Sequence, residues 1–393
     1  MESGDDMIEA ANAGCADIIS PVDLTDTGSL RGGPEPGVAL CLSGGGYRAT
    51  LFHAGALWRL NELGYLPKLD RISSVSGGSV TAGLLGARWG RLRFNSQGIS
   101  GSFEEEIIAP LRAFTSRTLD ATAIAGGILL PGTAAGHAVA AYRRHLLGDA
   151  TLQDLPDRPR FVITATNVQS GALWRFMKPY MRDYRVGEVR DPTVELAVAV
   201  GASAAFPPVL SPVVLELDEA AYTSNSGLDL QRRPFTTDVV LTDGGVYDNL
   251  GLETAWKRYQ TILISDAGAK AGVEAESARD WIRHAARALT LINDQVVTLR
   301  KRQVVESFRQ GLRDGAYWGT RTDVSHYGLA DALDCPFDKT TELANIPTRL
   351  KRLEDDIQER LINWGYAVCD AAMRMHVLSG PCPTRFPYPI GVG

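Results

Sequence analysis

Two glycine clusters, each directly behind a short apolar run, constrain this chain more than any other feature of its sequence. Gly44, Gly45 and Gly46 follow Val38 to Leu42 and precede Arg48; Gly77 and Gly78 follow Arg71 to Val75 and Ser76. Glycines fill no core, so their value is backbone N–H groups that another group can approach closely. After the first cluster Leu51, Ala54, Leu57, Trp58 and Asn61 recur at helical spacing, with Gly64 placed for a left-handed cap. After the second, Val80 to Trp89 continues as a small, apolar helix. Strand, tight loop and helix, twice over, imply parallel strands covered by helices. Ser76 then stands on a sharp turn flanked by the small residues Ser74, Gly77 and Gly78, which is the setting of an exposed nucleophile. The first loop would offer N–H donors to the oxyanion formed when that hydroxyl attacks an ester carbonyl. Acyl transfer is the chemistry these residues imply.

The 393 residues, 45% of them hydrophobic, suffice for a large core. A net charge of -6 argues against a nucleic-acid polymer as partner. Five cysteines lack metal-site spacing and are expected as reduced, packed thiols in a reducing compartment. The acidic start, Met-Glu-Ser-Gly-Asp-Asp, with no apolar run behind it, points to the cytoplasm. The most apolar segment, Ala121 to Ala141, is broken by Gly126, Gly127, Pro131, Gly132 and Gly136, which speaks against a spanning helix and leaves peripheral lipid contact open.

Residues 1–36 read as a loosely ordered arm, 37–268 as the α/β unit and 269–393 as a mainly helical C-terminal addition. Phe103 to Leu147 is expected to be helical, packed on the sheet or forming a cover. Arg160 to Thr166, Val239 to Thr242 and Thr261 to Ser265 read as further strands, and Thr193 to Ala205 as a helix stopped by Phe206, Pro207 and Pro208. Beyond Gly268 strands largely disappear. Trp281 to Leu312 and Leu350 to Trp364 are helical, separated by Gly/Pro/Asp-rich residues 313–348, and the tail from Gly380 is an extended strap.

Competing readings of the glycines are weaker. Gly44, Gly46 and Ala49 satisfy a loose dinucleotide pattern, but the second strand ends in Ser74, Val75 and Ser76 rather than in an acid for a ribose. A phosphate loop needs Lys and Ser or Thr where Tyr47 and Arg48 stand. Among six histidines only His326 falls in a plausible loop for a triad, whereas Asp243 closes an apolar strand ahead of Gly244 and Gly245 and can act as the base of a dyad. Asp266 and Asp248 are its rivals. Ser76 as a mere helix cap, Arg48 as a solvated helix residue and Asp243 as a turn residue are the plain alternatives; Ser79 reads as structural.

Taken in order, Gly44-Gly45-Gly46-x-Arg48, x-Ser76-Gly77-Gly78 and Asp243-Gly244-Gly245, with the Ala202 to Pro212 segment ahead of the acid, resemble the patatin-like phospholipases from about Gly37 to Ser265. The resemblance implies a three-layer α/β/α sandwich with a mainly parallel sheet. It implies a lipid acyl hydrolase of phospholipase A type acting on phospholipid or other acyl esters without a cofactor or metal. Carried over, Ser76 is the nucleophile, Asp243 the base, and Gly44, Gly45, Gly46 and Arg48 the oxyanion loop; Ser74 stands where the family usually has glycine. Bacterial relatives of this look serve as antiphage effectors gated by cyclic oligonucleotides, which makes such a nucleotide a candidate activator and the inner membrane a candidate place of action. The rival from another class is a non-catalytic lipid-binding or scaffold protein on the same fold, whose sign would be a lost serine or acid.

Overall fold

The computed structural model describes residues 34–119, 133–208, 210–276 and 279–393. Most of the proposed N-terminal arm and half of the Ala121 to Ala141 segment lie outside them. Strands β1 (Glu35–Leu42), β2 (Arg71–Ser74), β3 (Arg160–Asn167), β4 (Ala172–Phe176), β5 (Tyr180–Asp183), β6 (Gly187–Arg190), β7 (Val213–Glu216), β8 (Asp238–Asp243), β9 (Tyr259–Asp266) and β10 (Asp314–Gly319) join in one sheet. Its order is β10-β9-β1-β2-β3-β4-β5-β6, parallel from β10 to β3 and antiparallel beyond, with β8 and β7 branching from β3.

The α-helices of seven or more residues among the described residues are α1 (Gly46–Glu62), α2 (Gly77–Ala87), α3 (Ala109–Thr115), α4 (Thr133–Tyr142), α5 (Leu196–Ser203), α6 (Trp281–Arg309), α7 (Phe337–Ala344) and α8 (Asp355–His376). Alternation along the central strands sorts the core into two layers. Leu40, Leu42 and Leu263 belong to a large cluster with α1, α2 and α8, while Ala39, Cys41, Ile262 and Ile264 pack with Leu250, Leu252, Ala255 and, from α6, Val297 and Val304. The expected three-layer sandwich with a mainly parallel centre is what forms. α1 and α8 approach so closely that a methyl group on Gly55 or Gly365 would overlap the partner's backbone.

Three expectations change. A strand, β10, lies where only loop was read, and it closes the β9 edge of the sheet in parallel register, Ala316 opposite Leu263 and Trp318 opposite Ser265. The hairpins β4 to β6 and the strand β7 were also unread, because these short strands carry charges such as Arg175, Arg182, Glu188 and Glu216 on their more open face. The helix read at Leu350 to Trp364 starts at Asp355 and runs to His376.

Candidate active site

Ser76 occupies the turn between β2 and α2 with φ 52° and ψ −120°, a left-handed conformation that costs a non-glycine residue roughly 1–3 kcal/mol. Its surroundings hold it there. The Ser76 backbone N–H donates to Ser203 Oγ at 2.9 Å, and Ser203 Oγ is 2.8 Å from Ser79 Oγ, which donates in turn to Ser74 Oγ at 3.0 Å. Ser74 and Ser79 are thus part of a buried hydroxyl chain under the elbow. A side chain on Gly77 would strike the carbonyl of Gly46, and one on Gly78 the carbonyls of Leu42 and Ser43, so both glycines are required by contact.

The branching of the sheet brings the acid to this turn. β2 pairs with the first half of β3, ending at Ser74 opposite Ile163, and β8 arrives from the other direction on the same edge, ending with Asp243 opposite Ala165. Asp243 N–H donates to Ala205 O at 2.9 Å and Gly244 N–H to Ser203 O at 3.1 Å, so the end of α5 fixes the acid as well as the serine. The Asp243 carboxyl is buried; Oδ1 accepts from Gly245 N–H at 2.7 Å and Oδ2 has no partner of full hydrogen-bond geometry. Burial pushes its pKa up to about 6, against the lowering by Gly245 N–H and by the Ser76 hydroxyl that faces it. A contact short of full geometry is common for a catalytic pair before substrate binds.

Of the first glycine cluster, Gly44 donates its N–H to Asn249 O at 3.0 Å. The N–H groups of Gly45 and Gly46 have no partner among the described residues, nor has that of Gly77. Gly46 and Gly77 open α1 and α2, so two helix N-termini add their dipoles at this place. Gly45, at φ 147°, could not carry a side chain, which would meet Ala267 O. Arg48 is buried and turned away: Nη1 donates to Ala344 O at 3.0 Å and to Ile346 O, and Nη2 to Ala267 O at 2.8 Å and Thr348 Oγ1 at 3.3 Å. Burial lowers its pKa to about 10. The structure therefore gathers Ser76, Asp243, Gly45, Gly46 and Gly77, and places Gly44 and Arg48 as supports.

The rivals are otherwise engaged. Asp266 pairs with Lys301, accepts from Tyr317 OH at 2.7 Å and Gly268 N–H at 2.8 Å, and its pKa is lowered although buried. Asp248 accepts from Leu250 and Glu253 N–H groups and faces Arg300 at 3.5 Å. His326 is 81% exposed and reaches only toward Asp323. His53 is buried between Ser265 Oγ and Ser43 O, and burial lowers its pKa to about 4. Two residues went unread in the sequence: Ser203, one small residue in an apolar helix, and Asn249, whose backbone carbonyl carries no sequence signal.

The profile described as patatin-like phospholipase matches residues 40–256. Among solved structures, human GIVD cytosolic phospholipase A2 in complex with methyl gamma-linolenyl fluorophosphonate is 16% identical, with 86% of this chain and 59% of that chain covered at a TM-score of 0.49. The same human protein with that inhibitor and terbium chloride gives 15%, the same coverage and a TM-score of 0.47. VipD from Legionella pneumophila gives 13% identity, 87% and 67% coverage and a TM-score of 0.34. The chain spans 48–59% of the length of the human chains it matches. No curated protein sequence matches it. The matched profile takes in more than half of the chain, from the first glycine cluster past Asp243, and the chain belongs to the patatin-like phospholipase family.

Proposed function

We propose that the protein is a serine hydrolase that cleaves acyl esters of membrane phospholipids through a Ser76/Asp243 dyad. The observation that carries this is the meeting of Ser76, held at φ 52° on a tight turn, with the buried Asp243 carboxyl, raised to about 6, which the Ser76 hydroxyl faces. Asp243 takes the proton from Ser76 Oγ as Oγ attacks the ester carbonyl carbon. The negative charge passes to the carbonyl oxygen, where the N–H groups of Gly45, Gly46 and Gly77 receive it. The intermediate collapses by breaking the bond to the alcohol, which leaves with the proton held by Asp243. Water then attacks the acyl-serine, giving its proton to Asp243, and the fatty acid departs as Ser76 recovers its hydrogen.

Membrane contact in this reading is peripheral; no helix among the described residues is long and apolar enough to cross a bilayer. A lipid-bearing fluorophosphonate, followed by peptide mapping, tests the assignment. Labelling at Ser76 that is lost in Ser76→Ala supports it; labelling at Ser74 or Ser79, or an alanine variant with full esterase activity, overturns it.

A further inference from the structure

Outside the dyad, the strongest unassigned feature is a cavity of about 340 Å³ between the end of α3 and the end of α4, lined by Arg117, His137, Arg144 and His145 together with Thr118 and Leu119. Its charge is one-sided. The lining contains no carboxylate, and neither Arg117 nor Arg144 enters an ion pair among the described residues. The His145 imidazole is held below its ordinary value by burial and by these same two guanidinium groups. Cations gathered around a hollow whose described lining offers no counter-ion repel one another, and an anion of matching size removes that repulsion. In a chain of net charge -6 such a place is a local exception.

The cavity also adjoins the glycine loop. Leu119 N–H donates to Leu350 O at 2.8 Å, and the preceding residue, Arg349, accepts from Tyr47 N–H at 3.2 Å. The Arg349 backbone lies only 2.8–3.2 Å from where a side chain on Gly46 would stand. The dipeptide Arg349-Leu350 therefore touches both the oxyanion loop and the cavity wall. A second bridge is aromatic: Tyr47 stacks edge-on to Phe114, which packs against Tyr142 next to the lining residue Ala141.

We propose that this cavity is a phosphate subsite, in which Arg117 and Arg144, aided by His137 and His145, hold the headgroup phosphate of a phospholipid whose ester lies at Ser76. The proposal rests on the hydrolase reading above. In a glycerophospholipid the phosphate and the middle ester hang on adjacent glycerol carbons, so a phosphate held in the cavity while the ester lies at Ser76 would select phospholipids over neutral acyl esters. Guanidinium groups suit the task because they present paired donors to phosphate oxygens.

The test compares the full-length protein with its Arg117→Gln/Arg144→Gln variant in two assays. In the first, KM is measured on phosphatidylglycerol vesicles and on an uncharged soluble ester; the ratio of the two is expected to rise about tenfold or more in the variant, the usual size of a lost charged hydrogen bond. In the second, inorganic phosphate and glycerophosphoglycerol are titrated while the ring signals of His137 and His145 are followed by NMR. Both anions are expected to shift these signals in the wild type and not in the variant. An unchanged KM ratio in a variant that keeps its denaturation midpoint overturns the proposal. So does binding of inorganic phosphate with no effect on vesicles, which would give the cavity to a free phosphate-bearing ligand. A wild type inert toward every ester sinks the hydrolase reading instead, while the titration still reports on the cavity.

Discussion

Ser74 and Asp243 lie two positions apart along one edge of β3, opposite Ile163 and Ala165, so that the strand leading to the serine and the strand ending in the acid point at each other. The pair that follows, Ser76 and Asp243, is positioned by backbone pairing and by the turn at Ser203 to Ala205 that both strands touch. Little side-chain freedom is left in the arrangement, which is what positioning for attack requires.

Removing the proposed nucleophile should separate chemistry from strain. Ser76→Ala is expected to lower esterase turnover by at least about three powers of ten, as loss of a catalytic serine does elsewhere. Ser76→Gly should be equally inactive yet more stable than Ser76→Ala by about 1 kcal/mol, because glycine accepts φ 52° without penalty. Turnover on a soluble ester and urea midpoints of the three proteins check both parts. Equal midpoints for the alanine and glycine variants would show that the turn stores no strain.

The pH profile follows from Asp243. A base must be ionised to take a proton, so kcat/KM should fall as pH drops through about 6 and level off above it. A fall centred near pH 4 would mean that burial does not hold the carboxyl up as described.

The same shift has a cost to stability. An acid whose folded pKa lies above its unfolded value favours the fold below the unfolded value, and this contribution is lost as pH rises through about 6. Asp243→Asn has no charge to bury and should raise stability at pH 7 by roughly 1–3 kcal/mol while abolishing hydrolysis. Denaturation at pH 4.5 and pH 7 measures it: the gain should shrink at the lower pH, and a variant less stable than wild type at both would refute the account.

Under the proposed mechanism Ser203 serves as a positioning residue. Ser203→Ala takes away the acceptor for the Ser76 N–H, and a displaced nucleophile should cost up to about 100-fold in kcat with a smaller change in KM. The midpoint of the pH profile should stay in place, since Asp243 keeps its burial. If kcat is untouched, the hydroxyl chain under the elbow serves packing alone.

For Arg48 the expectation is structural. Arg48→Met takes a donor from Ala267, Ala344, Ile346 and Thr348 and should cost at least about 3 kcal/mol, each buried acceptor left unpaired contributing on the order of 1–3. A variant with an unchanged midpoint and lost turnover would return Arg48 to the oxyanion loop.

What could be read from the sequence were the elements whose signal is local. β1, β2 and β9 are apolar runs ending beside glycine or small polar residues, and the glycine clusters announce two tight strand-to-helix turns. β10 escaped because its apolar content is Ala316, Tyr317 and Trp318 between glycines, and only its neighbour β9 makes it a strand. Arg48 looked like part of a loop for anions because its partners lie 296–300 residues further on, or at Ala267. No spacing rule within a motif can report such a partner. Ser203 was hidden for the same reason, 127 residues from the N–H it accepts.

The tie between Arg48 and residues 344–348 also sets an order of events in time. Chains fold from the N-terminus as they are made, and the serine, the acid and both glycine clusters are all complete once residue 245 has been added. The guanidinium that anchors the start of α1 still lacks its acceptors on Ala344, Ile346 and Thr348 until about a hundred more residues have left the ribosome. A nascent or truncated chain that stops short of residue 344 thus already holds Ser76 and Asp243 while Arg48, at the start of α1, lacks three of its acceptors, and under the proposed function such a chain is expected to be a poor hydrolase.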